Sequence, residues 1–146
     1  MIAIRLMTED DIPEVARMEE LIFPDPWSEK VYRETFRLPD VRYLVAENDN
    51  KITGVAGVRN IVGTGEIINV MVLPEYRRKG IGRMIMEELL ECGRDLGADD
   101  FTLEVREGNL GAIRLYESLG FSCEGKRPGF YRNPPEDALI MWFRKC

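Results

Sequence analysis

The chain contains no histidine at all. That one absence removes Ser-His-Asp and Cys-His nucleophilic catalysis and most transition-metal sites together. Any acid or base must then be Glu, Asp, Tyr, Lys, Cys or a chain of waters. Cysteine is scarce too: Cys92, Cys123 and Cys146 are an odd number without C-x-x-C spacing, so neither a disulfide framework nor a zinc site is expected. No apolar run reaches the length of a membrane span. Met1 to Leu6 lack the basic-then-apolar pattern of a secretory signal, so a cytoplasmic protein is expected. Repeats, linkers and low-complexity stretches are missing as well.

The 146 residues suffice for one domain spanning 1–146, and 45% hydrophobic with 32% charged residues is ordinary for a globular chain. A net charge of -6 argues against direct nucleic-acid binding and suits a cationic partner such as a basic peptide or polyamine. Nothing in the sequence sets an oligomeric state.

Periodicity predicts a strand over 2–6 and a helix opened by a capping box at Thr8-Glu9-Asp10-Asp11, with Ile12, Val15, Met18 and Ile22 on its apolar face. Ser28 caps a second helix from Glu29 to about Leu38. Strands follow over 41–47, 52–60 and 65–73, the first two joined by a hairpin turn at Asn48-Asp49-Asn50. A long helix runs from Gly80 to Gly97, then a strand over 101–106, then a helix capped by Asn109 and closed by Gly120. Two last strands, near 121–127 and 137–144, are joined by a loop rich in proline and aromatics. The fold class is α/β (α+β): a mixed, mainly antiparallel sheet of six or seven strands flanked by about four helices.

One segment departs from the acidic background. Four of the seven residues from Arg77 to Arg83 are basic, interleaved with Gly80, Ile81 and Gly82, between a strand end and a helix start. The first N–H groups of a helix have no intrahelical acceptor and point outward, and the two glycines leave room for a ligand to reach the backbone. An anion site is the functional reading, and a plain strand–helix turn the alternative. A nucleotide P-loop is excluded because Arg83 and Met84 follow Gly82 where Lys and Ser or Thr are needed. A dinucleotide fingerprint is excluded because Ile85 stands where the third glycine belongs.

The R-x-x-G-x-G run of Arg77-Arg78-Lys79-Gly80-Ile81-Gly82, following Val72-Leu73-Pro74, resembles the acyl-CoA motif of the GCN5-related N-acetyltransferases. Four further segments resemble the RimI-type protein N-terminal acetyltransferases within that superfamily: Phe23–Lys30, Leu103–Arg106, Asn109 through Leu115–Phe121, and Glu136–Met141. The resemblance runs through nearly the whole chain and implies acetyl-CoA as cosubstrate without a metal. It implies that the backbone of Val70, Met71 and Val72 and the side chain of Asn109 bind the pantetheine arm. The N–H groups from Arg78 to Arg83 would hold the pyrophosphate. It implies Glu104 as general base and Tyr116 as general acid, where strand alternation alone makes Glu104 a polar-face residue and Tyr116 a half-buried helix tyrosine. Trp27 and Tyr131 would form walls of the peptide site, although both also fit simple anchoring of loops. The family often has Tyr-Tyr where this chain has Phe130-Tyr131. The acceptor implied is a protein N-terminus, that of a small-subunit ribosomal protein in the RimI group and of wider range in archaeal relatives. A small-amine acetyltransferase and a non-catalytic acyl-CoA-binding module are the competing readings.

Overall fold

Asp49 and Asn50 adopt φ of 53° and 67°, the mirror-image turn whose twist matches a tight hairpin, and they join β2 (Val41–Asn48) to β3 (Lys51–Ile61). The computed structural model describes residues 1–145. β1 (Ile2–Leu6) pairs antiparallel with β2 on its outer side, and β3 continues into β4 (Thr64–Val72). β5 (Asp100–Arg106), β6 (Ser122–Arg132) and β7 (Pro135–Phe143) complete one seven-stranded sheet in the order β1-β2-β3-β4-β5-β7-β6. Only β4 and β5 run parallel.

Helices cover both faces. α1 (Ile12–Ile22) and α2 (Glu29–Phe36) pack on one, over Tyr43, Val45, Val55 and Met71. α3 (Ile81–Asp95) and α4 (Leu110–Leu119) pack on the other, over Leu44, Val58, Ile67, Phe101 and Met141. The acidic half of the Thr8 capping box forms, with Asp11 accepting the Thr8 N–H at 2.8 Å, but it first opens a short 3-10 turn over Glu9–Asp11. Ser28 caps α2 by accepting the Val31 N–H, and that helix ends at Phe36, two residues short of the expected Leu38. Gly97 and Gly120, at φ of 100° and 109°, close α3 and α4 as expected.

The expected loop between the last two strands is a strand instead. β6 runs through Pro128 and Tyr131 to Arg132, and the turn shrinks to Asn133-Pro134. β6 is the sheet's edge, so Pro128 removes no ladder bond there, and a register shift between Arg127 and Tyr131 absorbs the Pro128-Gly129 pair.

Two irregularities shape the centre of the sheet. β4 and β5 are hydrogen-bonded only where Thr64, Gly65 and Glu66 meet Asp100, Phe101 and Thr102. Beyond them the strands part, leaving β4 from Ile67 to Val72 and β5 from Leu103 to Arg106 with unpaired facing edges. The closed end is filled by Phe101: a Cβ on Gly65 or Gly93 would lie 2.5 Å or 2.3 Å from its ring. Secondly, the β3–β4 register jumps from Gly57↔Ile68 to Val55↔Met71, so β4 bulges at Asn69 and Val70. Asn69 sits at φ 54°, a left-handed conformation that asparagine tolerates better than most residues.

Candidate active site in the gap between the central strands

Of the sequence-predicted site residues, Val70, Met71 and Val72 on β4 and Glu104 on β5 border the β4–β5 gap, and the turn from Arg77 to Arg83 follows the end of β4. On the α3 side of the gap, the turn after β4 puts Arg78 at φ 64° and Gly80 at φ 79°, two left-handed residues one apart. None of the N–H groups from Arg78 to Arg83 meets a backbone carbonyl among the described residues, and the first helical bond is Met84 N–H to the Gly80 carbonyl at 3.0 Å. A row of free donors on a helix start is an anion cradle. A Cβ on Gly80 would meet no atom within 4 Å, so the space in front of the cradle is open. A Cβ on Gly82 would come within 3.0 Å of Leu115, because α3 and α4 touch there.

The four basic side chains are less uniform than their sequence suggests. Arg77 turns back to donate from Nε to the Val72 carbonyl at 3.1 Å. Arg83 donates to Ser118 Oγ at 2.8 Å. Lys79 lies over the Tyr76 ring, 5.4 Å from its centre, a cation–π contact. Arg78 alone makes none of these contacts among the described residues.

Across the gap, β5 alternates strictly: Phe101, Leu103 and Val105 enter the core while Thr102, Glu104 and Arg106 take the other face. Glu104 pairs with Ile140 of β7, is half-buried, and forms no ion pair or hydrogen bond among the described residues. Its carboxylate is therefore uncommitted. Asn109 caps α4, its side-chain oxygen accepting the Ala112 N–H at 3.2 Å. That leaves its amide nitrogen free.

Tyr116 is buried at 6% exposure and packs on Phe121, ring centres 5.9 Å apart. Burial, with a smaller contribution from Tyr131, pushes its phenol well above the usual range. Its hydroxyl has no hydrogen-bond partner among the described residues. Yet no buried side-chain oxygen or nitrogen there lacks a partner, so this oxygen reaches solvent. Tyr131 is also pushed up, first by burial and next by the Glu104 charge, with Arg106 opposing. Tyr131 thus stands within electrostatic reach of Glu104 and of Tyr116, which ties the three together.

Sequence reasoning missed what holds Tyr131. The Arg106 guanidinium stacks on its ring at 4.3 Å and donates to Glu136 at 3.1 Å, the Pro134 carbonyl at 3.0 Å and the Asn133 carbonyl at 3.2 Å. Glu136 in turn accepts the Gly108 N–H at 2.5 Å. The hairpin tip is thereby clamped to the end of β5. Strand alternation placed Arg106 on the Glu104 face but gave no hint of partners some thirty positions away.

Trp27 packs against the core under α1 and α2, half-buried, its ring 5.5 Å from that of Tyr32. Its backbone N–H donates to Glu19, a carboxylate only 3% exposed that the apolar pattern of α1 did not single out. Trp27 and Tyr131 belong to separate side-chain networks.

The sequence pattern of the acetyltransferase (GNAT) family matches residues 12–121. A putative [ribosomal protein bS18]-alanine N-acetyltransferase of Bacillus subtilis is 34% identical, covering 96% of this chain and 93% of its own. The [ribosomal protein bS18]-alanine N-acetyltransferase of Salmonella typhimurium is 33% identical, covering 97% and 96%. The crystal structure of the ribosomal-protein-S18-alanine N-acetyltransferase from Escherichia coli matches the fold at a TM-score of 0.89 with 29% identity, covering 100% of this chain and 96% of that one. No helix among the described residues is long and apolar enough to cross a membrane. With a parted pair of central strands, an anion cradle beside them and relatives of matching length, the chain belongs to the acetyltransferase (GNAT) family and is an acetyl-CoA-dependent N-acetyltransferase.

Proposed function

We propose that the acceptor is a protein N-terminal amine, and in particular the N-terminal alanine of a small-subunit ribosomal protein, the substrate for which the Bacillus and Salmonella relatives are named. The observation that carries this reading is the uncommitted Glu104 carboxylate at the parted strands, with Tyr131 in reach of its charge and Tyr116 in turn in reach of Tyr131. The pyrophosphate of acetyl-CoA lies on the N–H groups from Arg78 to Arg83. Its pantetheine arm runs along the unpaired edge of β4 at Val70, Met71 and Val72, with the free Asn109 amide on its other side. A β4 edge that lacks a strand neighbour can offer an amide-bearing chain the hydrogen bonds a strand would take.

The reaction is direct attack. The amine nitrogen bonds to the thioester carbonyl carbon, the carbonyl oxygen is polarised by β4 N–H groups near Met71, and the carbon–sulfur bond breaks. Glu104 takes the proton of the attacking nitrogen through a water. An α-amine, with a pKa of about 8, is already partly neutral near pH 7, whereas a lysine near 10.4 is not, so a carboxylate base suits the former. Tyr116 donates to the departing sulfur. Since its phenol is pushed up while a thiol lies near 8.5, it shares its proton through a hydrogen bond rather than giving it away, and the proton released by the amine ends on the thiolate. The cysteines lie outside these motifs, so no acetyl-enzyme is formed. The Trp27 loop and the Phe130-Tyr131 hairpin flank the incoming peptide.

Coenzyme A release followed with a thiol reagent tests the acceptor class. Release is expected with a peptide beginning Ala-Arg and not with the same peptide blocked at its N-terminus. Equal rates on both would make a side-chain amine the acceptor and overturn the reading.

A further inference from the structure

Glu19 is the one buried carboxylate of the molecule's described residues, 3% exposed, and no cation pairs with it. A buried charge without a counter-ion is costly unless hydrogen bonds surround it. Here three donors converge. One oxygen accepts the Trp27 N–H, and the other accepts the Tyr32 hydroxyl and the Asn69 side-chain amide, the last at 3.2 Å. Asn69 is held at its other end too, its oxygen accepting the Tyr43 hydroxyl at 2.8 Å. Burial, and next the Glu19 charge, push both phenols up, which keeps them protonated as donors.

The donors come from different parts of the chain: the loop after α1, α2, and the bulge of β4. Asn69 occupies that bulge in a left-handed conformation and directly precedes Val70 and Met71, the backbone facing the gap. We infer that Glu19 is a positioning residue that ties the acceptor-side loop carrying Trp27 to the Asn69 bulge of β4, so that the acceptor wall and the thioester strand are set as one unit. The inference rests on the acceptor assignment above for its kinetic consequence, but its mechanical part does not.

The test uses Glu19→Gln, Asn69→Gly and the double variant of the full chain. Glutamine puts an NH2 where one set of donors needs an acceptor. Glycine removes the side-chain tie at 69 while accepting its positive φ without strain. For each variant, kcat and KM with the Ala-Arg peptide, the acetyl-CoA dissociation constant and the thermal midpoint are measured. Each single variant is expected to lower peptide kcat/KM about tenfold, chiefly through KM, with acetyl-CoA binding changed by less than about twofold. The double variant should be no worse than the worse single, as for residues acting as a unit. An independent readout needs no acceptor: with Trp142→Phe leaving Trp27 as the sole tryptophan, acrylamide quenching of Trp27 should rise in Asn69→Gly, although residue 69 does not bond the loop. If Trp27 quenching and peptide KM in Asn69→Gly both match the parent, the coupling is overturned. Loss of peptide and acetyl-CoA binding in equal measure with a lowered midpoint would make the network structural only and overturn it as well. Should Glu19→Gln fail to fold, Asn69→Gly alone decides. Should no N-terminal peptide release coenzyme A, the acceptor assignment fails while the quenching measurement still decides the inference.

Discussion

The two sides of the β4–β5 gap are built differently. The proposed cofactor side is a contiguous stretch of backbone, residues 77–83, in which left-handed Arg78 and Gly80 turn a row of N–H groups toward open space. The proposed acceptor side is assembled from groups distant in sequence: Arg106 with Tyr131 and Glu136 in one network, Glu19 with Trp27 and Asn69 in another. A backbone site tolerates changes of side chain but not of conformation. A side-chain site behaves in the opposite way, because each member depends on partners that one substitution leaves unpaired.

The largest effect falls where the two sides meet. Glu104→Gln keeps the volume and the strand but removes the proposed base, and should lower kcat by about 10²–10⁴-fold. Tyr116→Phe removes the donor to sulfur and should cost less, about 10–100-fold, the share of a single hydrogen bond to a developing charge. Acetyl-CoA binding measured by calorimetry should stay within about twofold of the parent in both, because backbone groups hold it. Full activity in either variant sinks that residue's role. A loss of cofactor affinity matching the loss of rate would instead erase the distinction between the two sides.

Next comes the acceptor wall. Arg106→Ala deletes the stack on Tyr131 and the bonds to Glu136 and to the Asn133 and Pro134 carbonyls. The combined loss of a cation–π contact and a clamped guanidinium should raise peptide KM about tenfold or more with little change for acetyl-CoA. Arg106→Lys should not rescue it, since an ammonium cannot stack on the ring and reach three acceptors in a fork. Rescue by lysine would mean that charge alone matters there.

This division also explains how much could be read from the sequence. The cradle was legible because its glycines, basic residues and helix start are adjacent, and the strand–helix order around it followed from periodicity. The two last strands are expected from the sequence, but their extension through residues 128–136 is not, because Pro128, Gly129 and Asn133-Pro134-Pro135 carry turn chemistry, and the edge position of β6 makes Pro128 compatible with a strand. The bulge left one trace, Asn69 inside the apolar run Ile67-Ile68-Asn69-Val70, which alone does not distinguish a bulge from a polar face. The apolar pattern of α1 does not single out Glu19, whose partners include Asn69, fifty positions away.

The smallest effect offers the sharpest contrast between backbone and side chain on the cofactor side. Arg78→Ala removes a full charge beside the proposed pyrophosphate site, yet exposed charge pairs are worth only about 0.2–1 kcal/mol, so the acetyl-CoA dissociation constant should rise by no more than about fivefold. Gly80→Ala removes no charge and adds a methyl where no atom stands within 4 Å. Its cost is conformational: a residue with a Cβ at φ 79° is disfavoured by about 1–2 kcal/mol, and relief of that strain turns the N–H groups out of register. Gly80→Ala should therefore weaken acetyl-CoA at least as much as Arg78→Ala does. Raising the salt concentration should shrink the Arg78→Ala deficit and leave that of Gly80→Ala in place, because screening acts on the lost charge and not on the lost geometry. If the glycine variant binds normally while the arginine variant does not, the cradle is held by charge rather than by backbone, and the cofactor side is built like the acceptor side after all.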